Sequence, residues 1–459
     1  MRRCTVTLAL CLTSSAFAAQ CGNTTIHSAA DADALRKACR VVDGTITIPQ
    51  SLNQLENISL DGIEVVNGDL RSYNCGSISI KRRSSTNSSV VSFSSSTLTT
   101  IHGDLALDGC IPDFTNISFP NLKTIDGAFD LVNTASLAYL DITNLDSVGY
   151  FRLHAPTLVT MVHKELRNVT GAHGTKKVVV EETSLTSVDS LFRNPLDIGD
   201  SPASIGGKTL MFEDYPTQTL TNATFGFTRA GSLSIEGNGT LYVTLGGPDQ
   251  TTMALTNLTF SRGTAGLIRN PQLANLTVET VTLGSYNNFT DLLLPFDNMS
   301  SLTILYEQTL TQLELPPQAV NYTNFSFTLF GCTNLNLSSQ FTTDPDGTTR
   351  QTWYWPQKDI NSLSLVGNIA TPFFQTLFDY EGNFTNTTGR PTISNFQVEP
   401  TNKSLLSCAP FKKLSQEGVT SIISQKERQL EEIKDRPGLR FSTRSAWHSQ
   451  FIFNSGRPN

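Results

Sequence analysis

Four stretches of this chain repeat one phrase: an apolar residue, an Ile or Val about three positions later, a Gly, then alternating apolar residues. They run from Ile63 to Leu70, from Leu98 to Leu107, from Leu122 to Leu131 and from Leu145 to Leu153. Leu98 and Leu122 are 24 residues apart, and Leu122 and Leu145 are 23 apart. The first gap is longer, with a polar, Ser-rich insert around Lys81 to Ser89. One such turn cannot bury its apolar side alone, so a fixed period of this size implies turns that stack on one another. Unrelated hairpins of a β-sandwich would not keep the same internal spacing. The expected fold is therefore all-β, a right-handed parallel β-solenoid of leucine-rich-like turns. Leu98, Ile101, Leu105, Leu122, Ile125, Phe129, Leu145, Val148 and Phe151 should point inward, and the Gly should mark a sharp bend.

Weaker echoes follow at Leu185 to Leu191, Leu233 to Ile235, Leu273 to Val278, Leu310 to Leu315 and Leu363 to Leu365. The stretch from Pro195 to Thr224 is the least regular, which suggests two lobes, 19–194 and 195–410. Ser28 precedes an Ala- and Asp-rich run to Ala38, and Ser28 with Asp31 three residues on makes a near capping box for a short N-terminal capping helix. Gly44 to Ile48 alternates as a strand.

The two ends read differently. Arg2 and Arg3, the apolar run Val6 to Leu12 and Ala16-Phe17-Ala18 have the order of a secretory signal peptide over 1–18. Residues 411–459 form a charged tail, with a helical period from Thr420 to Arg436 stopped by Pro437-Gly438. No segment after the signal has the ~18 apolar residues of a membrane span. Arg440, Arg444, His448 and Arg457 interrupt any anchor-type tail, so no GPI signal is expected.

A secreted chain explains the composition. Only 16% of residues are charged and the net charge is −7, against a usual charged share of about a quarter. No basic stripe points to nucleic acid. Ser and Thr together make 103 residues, and N-x-[ST] triplets stand at Asn23, Asn57, Asn87, Asn116, Asn168, Asn222, Asn238, Asn257, Asn275, Asn288, Asn298, Asn321, Asn324, Asn336, Asn383, Asn386 and Asn402. These seventeen exceed the roughly seven that chance gives for this composition, so glycans are expected to supply the solvation that ions do not. Six cysteines remain after the signal: Cys21, Cys39, Cys75, Cys110, Cys332 and Cys408. They allow fifteen connectivities, of which the sequence-near pairs 21–39 and 75–110 are the simplest.

At these residues the chain resembles the fungal GPI-anchored cell-wall organisation glycoproteins with receptor L-domain repeats. The likeness lies in the Cys21 to Cys39 helix, the strand after it, the repeated turns, the phrase Ile117-Ser118-Phe119-Pro120-Asn121-Leu122, and Ser407-Cys408-Ala409-Pro410-Phe411-Lys412-Lys413-Leu414-Ser415. The resemblance implies a non-catalytic protein of the cell wall or outer plasma membrane, supporting wall integrity, with wall polysaccharides or mannoproteins as partners and no cofactor. The C-terminus departs from the pattern, because that family usually carries a further Cys, a Ser/Thr-rich stalk and a hydrophobic anchor tail.

The competing class is a secreted carbohydrate-active enzyme or carbohydrate-binding protein on a β-solenoid scaffold, and the enzyme needs two carboxylates at a fixed separation. The acids here are mostly single, as at Asp104, Asp126 and Asp146, and read as solvated turns. Glu181 and Glu182 would point to opposite faces of a strand. No G-x-S-x-G, H-E-x-x-H, C-x-x-C or phosphate-binding Gly loop occurs. His154, His163 and His173 read as loop histidines on a polar surface rather than metal ligands. Trp353-Tyr354-Trp355 could offer rings to a sugar but reads as a strand with a buried face or a hairpin edge. Lys81-Arg82-Arg83 reads as a solvated loop. No catalytic, cofactor or metal residue is assigned.

Overall fold

The computed structural model describes residues 21–49, 57–72, 92–108, 114–172, 174, 177–206, 220–237, 240–285, 287–378, 392–407 and 409. Within them the chain winds as a parallel β-solenoid. Each turn lays its residues onto three sides, so the same side of every turn pairs with the same side of the next. One column of directly paired residues shows this best. It begins at Ile46 and climbs through Leu70, Leu105, Phe129, Phe151, Val178 and Ala203. It continues through Leu233, Leu258, Val281, Leu302, Phe327, Leu363 and Phe396. Every member is buried, and Phe129 lies flat on Phe151 at 4.6 Å between ring centres.

The nine residues expected to face inward are all fully buried, and the Leu, Ile and Val residues of the weaker echoes are buried too. A third side is formed by Asn57–Ser59, Ser92–Ser94, Asn116–Ser118, Tyr139–Asp141 and Thr160–Val162. Higher up, Asn222–Phe225, Leu241–Leu245 and Thr264–Arg269 take this place. The short pair Phe341–Thr343 and Thr349–Gln351 is antiparallel. Parallel pairing carries the large sheet across Pro195 through Val178–Glu181, Pro202–Ile205 and Phe227–Ile235, so the expected division into two lobes draws no support from the pairing.

The glycines recur for a reason the repeat alone does not reveal. Gly44, Gly68, Gly103, Gly127 and Gly149 stack at the corner between two sides, and a Cβ on Gly68 would lie 2.7 Å from the Gly44 carbonyl carbon. A Cβ on Gly127 would lie 2.7 Å from the Gly103 oxygen. The bend is there, but close backbone approach rather than a left-handed conformation excludes side chains. Beside this corner, side-chain oxygens link successive turns. Asn23 Oδ1 accepts the Thr45 N–H, Thr45 Oγ1 that of Asp69, Asp69 Oδ1 that of Asp104, and Asp104 Oδ1 that of Ala128. Asp104 is thus a structural acceptor, which corrects its reading as a merely solvated turn residue. In the Phe-Pro-Asn-Leu phrase, Asn121 Nδ2 donates to the Ser96 carbonyl and Asn144 Nδ2 to that of Pro120.

The helix Ala29–Ala38 forms as expected, with the Ser28 hydroxyl accepting the Asp31 N–H. The Cys21–Cys39 disulfide brackets it. Cys75, Cys110 and Cys408 lie outside the described residues, as do residues 1–18, where a signal peptide is expected, and residues 411–459, expected as a charged tail. Cys332 is a buried thiol with no disulfide partner among the described residues. No helix among the described residues is long and apolar enough to cross a membrane.

Candidate functional site

The glycan acceptors follow the strands. Asn57, Asn116, Asn168, Asn222, Asn257, Asn275, Asn298 and Asn336 lie on strands, and their central residues Ile58, Ile117, Val169, Ala223, Leu258, Leu276, Met299 and Leu337 are buried. Alternation places Asn and Ser or Thr outward with an apolar residue between them, so strand chemistry itself generates N-x-[ST] triplets. Asn23, Asn288, Asn321, Asn324 and Asn402 lie in turns or at element ends. Every described acceptor except the half-buried Asn116 is exposed. Asn87, Asn238, Asn383 and Asn386 lie outside the described residues.

The histidine reading needs correction. His154 is 5% exposed and pairs through Nε2 with the buried Glu182 at 2.9 Å, while its Nδ1 accepts the Asn133 N–H. His154 is the last residue of the strand Ser147–His154, and its burial comes from Glu182 packing against it, which the sequence alone does not place there. His163 is half-buried and bonds the Leu145 carbonyl at 2.8 Å, and burial lowers its pKa. His173 lies outside the described residues. No group of three or more His, Cys, Asp or Glu suited to a metal occurs among the described residues. Glu181 and Glu182 do face apart, with Glu181 accepting the Ser204 hydroxyl.

Trp353 and Trp355 are buried in an aromatic cluster with Phe327, Phe373 and Phe374, so they offer no ring to a ligand. The rings that do reach solvent are elsewhere. Tyr306 is 49% exposed and Phe330 44%, and they meet edge to face at 5.3 Å. They lie at one end of the strands Asn298–Leu305 and Phe325–Phe330.

Those strands belong to the outward face of the large sheet. In register, its rows read Ser232-x-Ser234, Asn257-x-Thr259, Thr280-x-Thr282, Ser301-x-Thr303, Ser326-x-Thr328, Ser362-x-Ser364 and Asn395-x-Gln397. No charged side chain stands in these rows. The hydroxyls of Thr280, Thr282, Ser301, Thr303, Thr328 and Ser364 make no hydrogen bond among the described residues. The next outward position after three of the rows is apolar: Leu305, Phe330 and Val366. The signal was present in the sequence as [ST]-x-[ST]-x-apolar, but it becomes visible only when the register aligns the strands.

Lower on the same face the chemistry changes. Asp130 is half-buried, accepts the Tyr150 hydroxyl at 3.1 Å and lies beside Arg152. Burial raises its pKa, while Arg152 and Tyr150 oppose the rise. Tyr150 is pushed up to about 12 by burial and the Asp130 charge. A shallow hollow elsewhere is lined by Thr170, Gly171, Ile198, Ser201 and Arg229 among others, with no carboxylate among the described lining residues.

Among curated proteins, the chain is similar to cell wall protein ecm33 of Schizosaccharomyces pombe, with 29% identity over 134 residues. The aligned stretch is 29% of this chain and 28% of that protein, so the match spans little more than a quarter of the relative's length. No protein-family model and no solved structure matches the chain.

Proposed function

We propose that this chain is a non-catalytic, N-glycosylated protein of the fungal cell surface or wall that supports wall organisation. The likeness to a named cell wall protein carries this reading. The exposed acceptor asparagines and the uncharged outward rows support it, since both suit a surface solvated by sugars. The test is expression in a fungal host followed by cell fractionation. The protein should appear in the wall or surface fraction, running above its 50.1 kDa and falling towards that mass after N-glycan removal. An unshifted band, or retention inside the cell, overturns the reading.

A second reading, a polysaccharide-cleaving enzyme, is favoured by one observation: Asp130, its pKa raised by burial, is bonded by Tyr150 beside Arg152. Release of reducing ends from wall glucan that Asp130→Asn abolishes would establish it. No release from glucan, chitin or mannan leaves the non-catalytic reading standing.

A further inference from the structure

We propose that the outward face of the strands Asn298–Leu305, Phe325–Phe330 and Ile360–Ile369 binds a neutral, β-linked hexopyranose polymer. Tyr306 and Phe330 stack on its sugar rings, and the hydroxyls of Ser301, Thr303, Thr328 and Ser364 hydrogen-bond it. The choice of a wall polymer rests on the surface function proposed above, and the choice of face rests on geometry alone.

Charge decides the class of partner. A nucleic acid or an anionic membrane needs clustered cations, and these rows carry none. A peptide adding to a sheet pairs with its edge, whereas this surface is the middle of a broad sheet. What the face does present is hydroxyls that both donate and accept, those of Ser301, Thr303, Thr328 and Ser364 unbonded among the described residues, flanked by a short apolar strip. A pyranose is the matching ligand, with hydroxyls around its rim and C–H faces that suit aromatic rings. Successive strands lie about 4.8 Å apart, close to the length of one sugar in an extended β-linked chain. Such a polymer can meet one row of hydroxyls after another.

The aromatic pair is held ready. The Tyr306 N–H donates to the Phe330 carbonyl at 2.8 Å, and Gln308 Nε2 donates to the Gly331 carbonyl at 2.9 Å. The Tyr306 ring lies where a side chain on Gly331 would stand, since a Cβ there would be 2.5 Å from the ring. Tyr306 itself has φ +57°, a left-handed conformation that costs a bulky residue energy and persists where surroundings enforce it. Fixing both rings before binding removes an ordering cost from association. Acceptor asparagines lie at the borders of the face: Asn298 opens the first strand and Asn324 precedes the second, both at the end away from Tyr306 and Phe330, and Asn336 pairs beside Asn368 of the third, so the test is run with and without glycans.

The experiment is a pull-down of the secreted, full-length protein, with and without its N-glycans, on insoluble β-1,3-glucan, chitin and mannan. Retention on glucan or chitin is expected, and which of the two retains it identifies the polymer. Tyr306→Asn with Phe330→Ser should weaken retention at least ten-fold, Asn being chosen because it tolerates the left-handed turn. Thr303→Lys should weaken it as well by placing a charge in the row. Tyr242→Ser, which removes an equally exposed ring from another side of the solenoid, should change nothing, and all variants should keep the wild-type melting temperature. Retention that ignores Tyr306, Phe330 and Thr303, or retention on mannan alone, overturns the proposal. Wall localisation in a strain carrying the double variant keeps the two claims apart. A wall protein that has lost glucan or chitin binding supports both, and a wall protein that never bound either refutes only this one.

Discussion

Glu307 follows Tyr306 and is fully buried. Its Oε1 accepts from Asn287 Nδ2 at 2.8 Å, and its Oε2 has no hydrogen-bond partner among the described residues. Burial pushes its pKa up to about 7, against the opposing bonds from Asn287. In the unfolded chain the carboxyl ionises near its ordinary value, so between there and about pH 7 only the unfolded state gives up the proton. Stability should therefore fall as pH rises through that window and then level off, by about 3 kcal/mol in all. Glu307→Gln should flatten the slope, melting like the wild type at pH 4 and clearly higher at pH 8; thermal melts across this range check it. Gly127→Ala is the second test at this scale. A methyl 2.7 Å from the Gly103 oxygen should cost about 1–3 kcal/mol, whereas Gly22→Ala, with nothing within 4 Å, should cost far less. Equal denaturant midpoints for the two would show that the corner can relax.

The single turn is the unit that the sequence spelled out. Its Leu and Ile positions, the strand after Gly44 and the helix behind Ser28 were legible because each depends on local alternation or capping. The outward hydroxyl rows were not, since a Ser-x-Thr pair means nothing until register sets it beside its neighbours. Nor was the burial of His154, which depends on Glu182 arriving 28 residues later. Leu122 tests the turn as a unit. Leu122→Asp puts an unpaired charge into a fully buried site, at a cost of several kcal/mol. Limited proteolysis should then cut first between about residues 98 and 150. Uniform resistance like that of the wild type would mean the inward register is wrong.

Across the whole molecule, each turn touches mainly the turns before and after it, so stability should be distributed rather than all-or-none. Cys332 is a natural reporter far from Leu122. It is buried, and burial raises its thiol to about 11, which makes alkylation slow until that region opens. In urea, Cys332 alkylation followed by peptide mass spectrometry should not coincide with hydrogen exchange of the first four turns. In Leu122→Asp the Cys332 midpoint should stay where it is. A single shared midpoint for both probes, moving together in the variant, would make the solenoid one cooperative block.

The glycine corner also limits how such a chain can change length. Gly68 and Gly103 are 35 residues apart, while Gly44 and Gly68, like Gly103 and Gly127, are 24 apart. The glycines nevertheless stack without a break, and the surplus falls between Ser72 and Ser92, away from the corner. Insertions and deletions are thus confined to two kinds. Loops on the far side can grow by any number of residues, but near the corner only complete turns can be gained or lost. A lineage of such chains would vary in its count of whole turns and its loop sizes, while the corner itself keeps the same reading frame.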